Sequence, residues 1–391
     1  MVLRKEGIMN FVLQEMPKAG DTVLVGMSGG VDSTLVALML KQNGCKVIGI
    51  TMSLWSGKLS ISQTEKPKAH KDSCYGPDEY ADIEECKAFC SEQDIEYHVV
   101  DLHEIYEKKV LEYFKSEYRS GRTPNPCIMC NRNLKFGALL ESAEKIGIKY
   151  DYFCTGHYAA VVRPQTALWD SDVRPFMISG ATDSSKDQTY FLYRLPSSVL
   201  EKVRFPLANM NKSEVFELAR KYGLKAAEKK ESQDFISPEL LPQLFADKEG
   251  IPGDIIDIDG HKLGRHKGIE HYTVGQRKGL GISSPYPVYV HSIDAKNNLV
   301  IVSKAEDLFA DSFIAEDFVW AGDIVPKNPF NALVKIRLAS KPVDCRVEKA
   351  DDNNWKITFN QAQRAVAPGQ SAVLYLDGGV IGGGLIKEII R

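Results

Sequence analysis

The sequence predicts an α/β protein that opens on a parallel-sheet domain and closes on short β-strands. Three observations lead there. Val23-Leu-Val25 reads as a buried strand running into Gly26-Met-Ser-Gly-Gly-Val-Asp-Ser33, and Leu35, Val36, Leu38, Met39 and Leu40 follow at helical spacing. Lys46-Val-Ile-Gly-Ile-Thr-Met52 is a second buried strand. Strand, helix and strand make a right-handed βαβ unit, whose ligand sits at the carboxyl ends of the strands. Beyond Pro287, short alternating runs separated by Gly, Asn and Asp turns imply a small barrel or sandwich.

The other elements follow in order. Asn10 to Met16 reads as a short leading helix. Ser56 to Tyr75 is polar, Lys-rich and aperiodic, an excursion over the sheet edge. Asp82 to Gln93 is helical, Glu96 to Val100 a strand and Glu104 to Tyr118 an amphipathic helix. Tyr150 to Cys154 is the next strand, with Thr155-Gly-His157 at its carboxyl end. Asn211 caps a helix that Gly223 ends. After Pro252, glycines punctuate a stretch carrying Lys262, Arg265, Lys267, Arg277 and Lys278, which suits a phosphate-backbone track or a solvated loop. Val288 to Ile293 and Leu299 to Val302 form a hairpin. Strands follow at Ala332 to Leu338, Cys345 to Lys349, Trp355 to Phe359, Ser371 to Tyr375 and Leu385 to Ile389.

Length and charge set bounds. At 391 residues the chain exceeds one average domain, and boundaries are expected at 1–206, 207–286 and 287–391. A net charge of −3 rules out a broadly basic surface, so any RNA-binding face is local. No apolar run approaches the ~18 residues of a membrane span. Charges interrupt the N-terminal stretch, which is not a secretory signal, and a cytoplasmic location is expected. Cys45, Cys74, Cys86, Cys90, Cys127, Cys130 and Cys154 crowd the first part of the chain, leaving only Cys345 later. Without a secretory signal such cysteines point to metal, redox or sulfur chemistry rather than structural disulfides.

The loop Ser28-Gly-Gly-Val-Asp-Ser33 is an anion cradle. Its glycines let backbone approach a ligand, and the helix behind presents N–H groups and a positive dipole end. It lacks the lysine of a Walker A loop and the glycine spacing of a dinucleotide fold. Asp32 is a poor neighbour for a triphosphate unless a metal lies between. Ser-Gly-Gly-x-Asp-Ser after a strand resembles the PP-loop of ATP pyrophosphatases, which adenylate an oxygen on a second substrate.

Gly121-Arg-Thr-Pro-Asn-Pro-Cys-Ile-Met-Cys-Asn-Arg132 is the second informative stretch. Pro124 and Pro126 stiffen the approach to Cys127, and Cys127 and Cys130 form Cys-x-x-Cys at a helix start. A helix N-terminus raises the thiolate fraction, so persulfide transfer, disulfide formation and metal ligation are all open. Cys86 and Cys90 share one helix face and either join a zinc site or are simply buried. His157, at a strand terminus, either meets a ligand or is a satisfied polar residue. Lys186-Asp-Gln188 alone reads as a solvated turn.

Taken together, these stretches are similar to the tRNA-specific 2-thiouridylases, the MnmA family of the PP-loop superfamily, from about Asp21 onward. The likeness rests on Gly26 to Ser33, Gly121 to Pro126 with Cys130-Asn131, and Thr155-Gly-His-Tyr158. Lys186 to Gln188, Tyr272-Thr-Val-Gly-Gln-Arg-Lys-Gly-Leu-Gly281 and Pro368-Gly-Gln370 add to it. The resemblance implies a PP-loop parallel-sheet domain, a small central domain and a C-terminal β-barrel. It implies adenylation of O2 of the wobble uridine of tRNA, then replacement of that oxygen by sulfur from a persulfide-carrier protein. ATP and Mg2+ would bind at Gly26, Met27, Ser28, Gly29, Gly30, Val31, Asp32, Ser33, Met52 and Gly156. His157, Lys186, Asp187, Gln188, Arg337, Leu338 and Gln370 would touch tRNA, and Asn125, Pro126 and Cys127 would surround the flipped base.

Two departures matter. Where many members have an aspartate thought to assist proton transfer, this chain has Cys127. Where many carry a second catalytic cysteine after Glu231-Ser-Gln233, it has Phe235, Ile236 and Ser237. Three explanations stand. Cys127 resolves sulfur carried by Cys130, with a disulfide between them. Or Cys127, Cys130 and a third thiol, Cys154 first and Cys74 next, hold an iron–sulfur cluster like that of related thiolases. Or the chain binds ATP and tRNA but thiolates poorly. Amidation, non-enzymatic RNA binding and a structural zinc site are the rival classes.

Overall fold

The computed structural model describes residues 10–57, 73–169, 171–229, 234–237, 240–248 and 250–391. They form two compact units, 1–109 with 127–241 and 377–380, and 110–126 with 242–376 and 381–391.

The first unit is built on a five-stranded parallel sheet. Its order is Glu96–Asp101, Lys46–Ser53, Thr22–Gly26, Tyr152–Cys154 and Val203–Arg204. Val23, Leu24 and Val25 are fully buried, as a central strand covered on both faces requires. The helix Val31–Gln42 covers one face, where Leu35, Val36 and Ala37 join Cys45, Cys86, Cys90 and Cys154 in one core. Successive residues of a strand point to opposite faces. Phe153 therefore packs on the other face, against Phe136 at 5.6 Å between ring centroids. That face is covered by a continuous helical run, Pro126–Cys130, Asn131–Ala138 and Leu139–Lys145. Its middle section has the wider π register. Asn133 Nδ2 donates to the Met129 carbonyl at 2.9 Å, taking an acceptor the α-helical ladder would use.

Two further groups of paired strands complete this unit. Phe11–Leu13, expected to be helical, is a strand antiparallel to Ala160–Pro164, which pairs in turn with Met177–Ser179. Three apolar residues in a row carry no period, and pairing along an open strand edge settles them as β. Residues 58–72 of the expected excursion lie outside the described residues, as does the start of the Glu231-Ser-Gln stretch. The end of the excursion is ordered: Ser73–Tyr75 pairs in parallel with Asp234–Ile236.

In the second unit, the hairpin Tyr289–Asp294 and Leu299–Ser303 joins Gly253–Asp257 and Lys262–His266 in a four-stranded sheet. The barrel is closed: Phe309–Trp320, Trp355–Arg364, Val343–Lys349, Phe330–Lys335, Ser371–Leu376 and Gly379–Ile390 pair in a ring. Closure removes every exposed strand edge. The long strand Phe309–Trp320 escapes sequence reading because register shifts interrupt its alternation. Among the described residues no helix is long and apolar enough to cross a membrane.

Candidate active site

The glycine loop leads into the helix Val31–Gln42 with Gly30 as an extended N-cap that makes no side-chain cap. The first-turn N–H groups are thus left to an anion. Hydroxyl groups hold the loop. Ser33 Oγ donates to the Gly30 carbonyl at 3.2 Å and accepts from the Ser28 N–H at 3.2 Å. Thr34 Oγ1 donates to the same carbonyl at 2.9 Å. Gly29 has φ +72°, and a Cβ there would lie 2.9 Å from Asp82 Oδ1. Met27 and Val31 are buried, so they offer the site backbone only.

Asp32 is the hub. Lys212 Nζ donates to both its carboxylate oxygens, at 2.7 and 2.8 Å, and the Tyr158 hydroxyl donates to Oδ1 at 2.9 Å. Lys212 is only 8% exposed, and its ammonium lies 5.0 Å from the Phe216 ring centroid and 5.4 Å from that of Tyr158. A buried ammonium persists only where a carboxylate and aromatic faces replace its water. Its helix start is held by Asp183, which accepts from the Lys212 N–H at 3.0 Å, and by Glu214, which accepts from the Asn211 N–H at 2.6 Å. Sequence reading missed Lys212. The available signal was a lysine in the first turn of a capped helix, where the dipole disfavours a cation.

The turn after Tyr152–Cys154 lies against this loop. A Cβ on Gly156 would fall 2.7 Å from Asp32 Cβ and 2.9 Å from the Ser33 nitrogen. His157 Nδ1 is 2.7 Å from Thr155 Oγ1, and its ring sits between Phe136 and Phe205. Burial, with Lys135 beside it, holds its pKa well below 6.5, so the ring is neutral. Tyr158 and Gln188 bond reciprocally: the Tyr158 N–H donates to Gln188 Oε1 at 2.8 Å, and the Gln188 N–H to the Tyr158 carbonyl at 3.0 Å. Asp187 accepts from the Thr189 N–H and hydroxyl. Lys186 ends a short 3-10 turn. The triplet read as a solvated turn is therefore half-buried and braces Tyr158. Met52 is half-buried opposite Val100 near the end of its strand.

Cys127 and Cys130 are half-buried in the helical run that carries Phe136. Burial pushes the Cys130 thiol up to about 11, Cys74 adds to the rise and Lys135 opposes it. The thiol pair does stand in the first turn of a helical run, as expected, but at Cys130 desolvation works against the activation that a helix N-terminus offers. No disulfide joins the described cysteines. Cys86 and Cys90 are core residues, with Cys90 Sγ 3.5 Å from Met27 Sδ.

The cluster set with Cys154 as third ligand does not assemble. Cys154 is fully buried on the face of the Val31–Gln42 helix, opposite the one that Phe136 and the Cys130 helix cover. Its neighbours in charge are Arg204 and Cys45, and burial drives its pKa up. The residues do not fit an iron–sulfur centre ligated by Cys127, Cys130 and Cys154.

In the second unit, Arg122 bonds Glu117 at 2.8 Å and Glu316 at 3.0 Å, and the Thr123 N–H donates to the Pro368 carbonyl at 2.7 Å. Gln370 Nε2 donates to the Thr123 carbonyl at 2.9 Å, so this residue shapes the stretch before half-buried Asn125 and buried Pro126. Arg337 Nη2 donates to the Val274 carbonyl at 2.8 Å, tying it to the loop that exposes Arg277 and Lys278. Leu338 is exposed beside it.

An anion-binding loop at the carboxyl end of a parallel sheet, with a buried lysine at its aspartate and a thiol pair in the same unit, defines a nucleotide-dependent group-transfer enzyme. Three family profiles match: a tRNA methyl transferase HUP domain over residues 21–237, a tRNA methyl transferase PRC-barrel domain over 241–304, and an aminomethyltransferase beta-barrel domain over 310–386. The tRNA-specific 2-thiouridylase MnmA of Endomicrobium trichonymphae is 41% identical over 93% of this chain and 98% of its own length. MnmA 1 of Syntrophus aciditrophicus is 42% identical over 94% and 93%, and MnmA of Carboxydothermus hydrogenoformans 39% over 94% and 97%. The chain belongs to the tRNA-specific 2-thiouridylase family, MnmA.

Two outcomes follow. Gly156→Ala meets backbone rather than a yielding side chain, so it should cost about 1–3 kcal/mol in chemical denaturation; an unchanged midpoint would contradict the contact. His157, with a folded pKa below its unfolded value, takes up a proton on unfolding. Its neutral burial is without penalty above about pH 6.5 and destabilises the fold as pH falls below that. The loss of stability between about pH 7.5 and 5.5 should be smaller in His157→Gln; an equal loss in both proteins would contradict it.

Proposed function

We propose that the chain is an ATP-dependent tRNA sulfurtransferase that adenylates O2 of the wobble uridine and replaces it with sulfur carried on Cys130. One observation carries this reading: the loop with its Asp32–Lys212 pair and the Cys127–Cys130 helix are linked through Gly156, His157 and Phe136 within a single unit. The carbonyl oxygen of a uracil is a poor leaving group, and AMP is a good one. Attack of O2 on the α-phosphorus breaks the bond to pyrophosphate. Sulfur then adds at C2 and AMP departs.

The residues divide this work. Ser28 to Ser33 cradle phosphate with backbone N–H groups. Lys212, already 2.7 Å from Asp32, supplies the cation that the loop lacks and stabilises charge on the departing pyrophosphate. Asp32 would hold Mg2+, which offsets phosphate charge when bound. Met52 and Gly156 line the nucleotide side. The uridine leaves the anticodon stack to reach Cys130, with Asn125, Pro126 and Cys127 around it. Neutral His157 and Lys186 touch the tRNA, while Asp187 and Gln188 act by bracing Tyr158. Arg337, Leu338 and the exposed Arg277 and Lys278 contact the tRNA backbone, and Gln370 shapes the Pro124–Asn125 segment. Sulfur arrives from a persulfide-carrier protein.

A partial-reaction assay tests this division. With ATP and unmodified tRNA, Lys212→Met should lower AMP release by about 100-fold or more. Cys130→Ser should still release AMP but form no thiouridine. Thiouridine from Cys130→Ser, or normal AMP release from Lys212→Met, would overturn it.

A further inference from the structure

We propose that Cys74 is the thiol that frees the transferred sulfur from Cys130, an inference that rests on the thiolation reading above. When the outer sulfur of a Cys130 persulfide attacks C2 and AMP leaves, the uridine remains joined to the enzyme through an S–S bond. A second thiolate must attack the Cys130 sulfur. That step forms a disulfide to Cys130 and breaks the bond to the transferred sulfur. The electron pair of that bond stays with the sulfur, which becomes the C2 thione. An external dithiol then returns two electrons and two protons to the disulfide.

Burial narrows the choice of thiol. Cys45, Cys86, Cys90, Cys154 and Cys345 are buried, which leaves Cys74 and Cys127 as partners for Cys130. The fold brings Cys74 to this place. Ser73–Tyr75 pairs in parallel with Asp234–Ile236, and Tyr75 stacks on Tyr106 with ring centroids 5.0 Å apart. The helix His103–Tyr106 packs against Asn131–Ala138, which continues directly from Cys130. Tyr106 is 3% exposed, and Cys130, Cys74 and Cys127 all act electrostatically on its hydroxyl. Access then separates the candidates. Cys127 is half-buried beside Cys130 in one helical run, whereas Cys74 is exposed and is the thiol that an external dithiol reaches.

The test uses the full chain with Cys130 loaded by glutathione persulfide and then desalted. ATP and unmodified tRNA are added without reductant, and the reaction is quenched with an alkylating agent. Peptide mapping should find a Cys74–Cys130 disulfide in the wild type. Cys74→Ser should hold the tRNA as a covalent adduct on a non-reducing gel, released by dithiothreitol, with free thiouridine reduced more than about tenfold. Cys74→Ala should behave alike, and melting curves matching the wild type show that both fold. A Cys127–Cys130 disulfide, or an adduct confined to Cys127→Ser, would overturn the proposal. So would wild-type release from Cys74→Ser, or a visible iron–sulfur absorption that is lost in that variant together with activity. If the wild type itself forms neither AMP nor thiouridine, the thiolation reading fails instead.

Discussion

The contact between Asp32 and Lys212 organises the catalytic unit. Asp32 stands in the first turn of the helix behind the phosphate loop, and Lys212 reaches it from a helix 180 positions later in the chain. Lys212 is buried and Asp32 half-buried, so removing the carboxylate leaves the ammonium uncompensated. The same carboxylate accepts from Tyr158, which Gln188 braces, and Gly156 is bare so that its turn can lie against Asp32. Loop, turn and bracing segment are thus fixed around one aspartate. Such fixing lowers the reorganisation left for the reaction.

Burial sorts the cysteines. Cys86, Cys90 and Cys154 fill the core beneath the Val31–Gln42 helix, where desolvation keeps them protonated and inert. Cys127 and Cys130 lie on the opposite face and keep contact with solvent. Burial raises the pKa of the Cys130 thiol, so it rests protonated at neutral pH.

Much of this was legible in the sequence. The loop and its helix announce themselves because glycines and hydroxyls sit at fixed offsets after a buried strand. Cys127 and Cys130 stand out through the prolines before them. What escaped depends on distance along the chain or on surroundings. Lys212 carries no local motif, and only the fold brings it to Asp32. The pairing of Ser73–Tyr75 with Asp234–Ile236 joins two segments that each look like loop. The direction of the Cys130 shift follows from desolvation, which spacing cannot report. Lys186-Asp-Gln188 reads as a solvated turn, yet Gln188 bonds the Tyr158 backbone, because buried turns must satisfy their carbonyl and amide groups.

The central claim is that the uridine oxygen leaves on AMP. It is tested by supplying tRNA whose wobble uridine carries oxygen-18 at O2, with ATP and a persulfide donor, and weighing the products by mass spectrometry. The account predicts one heavy oxygen in the phosphate of AMP for each thiouridine formed, with pyrophosphate unlabelled. Label appearing in water or inorganic phosphate, or ADP in place of AMP, would contradict it.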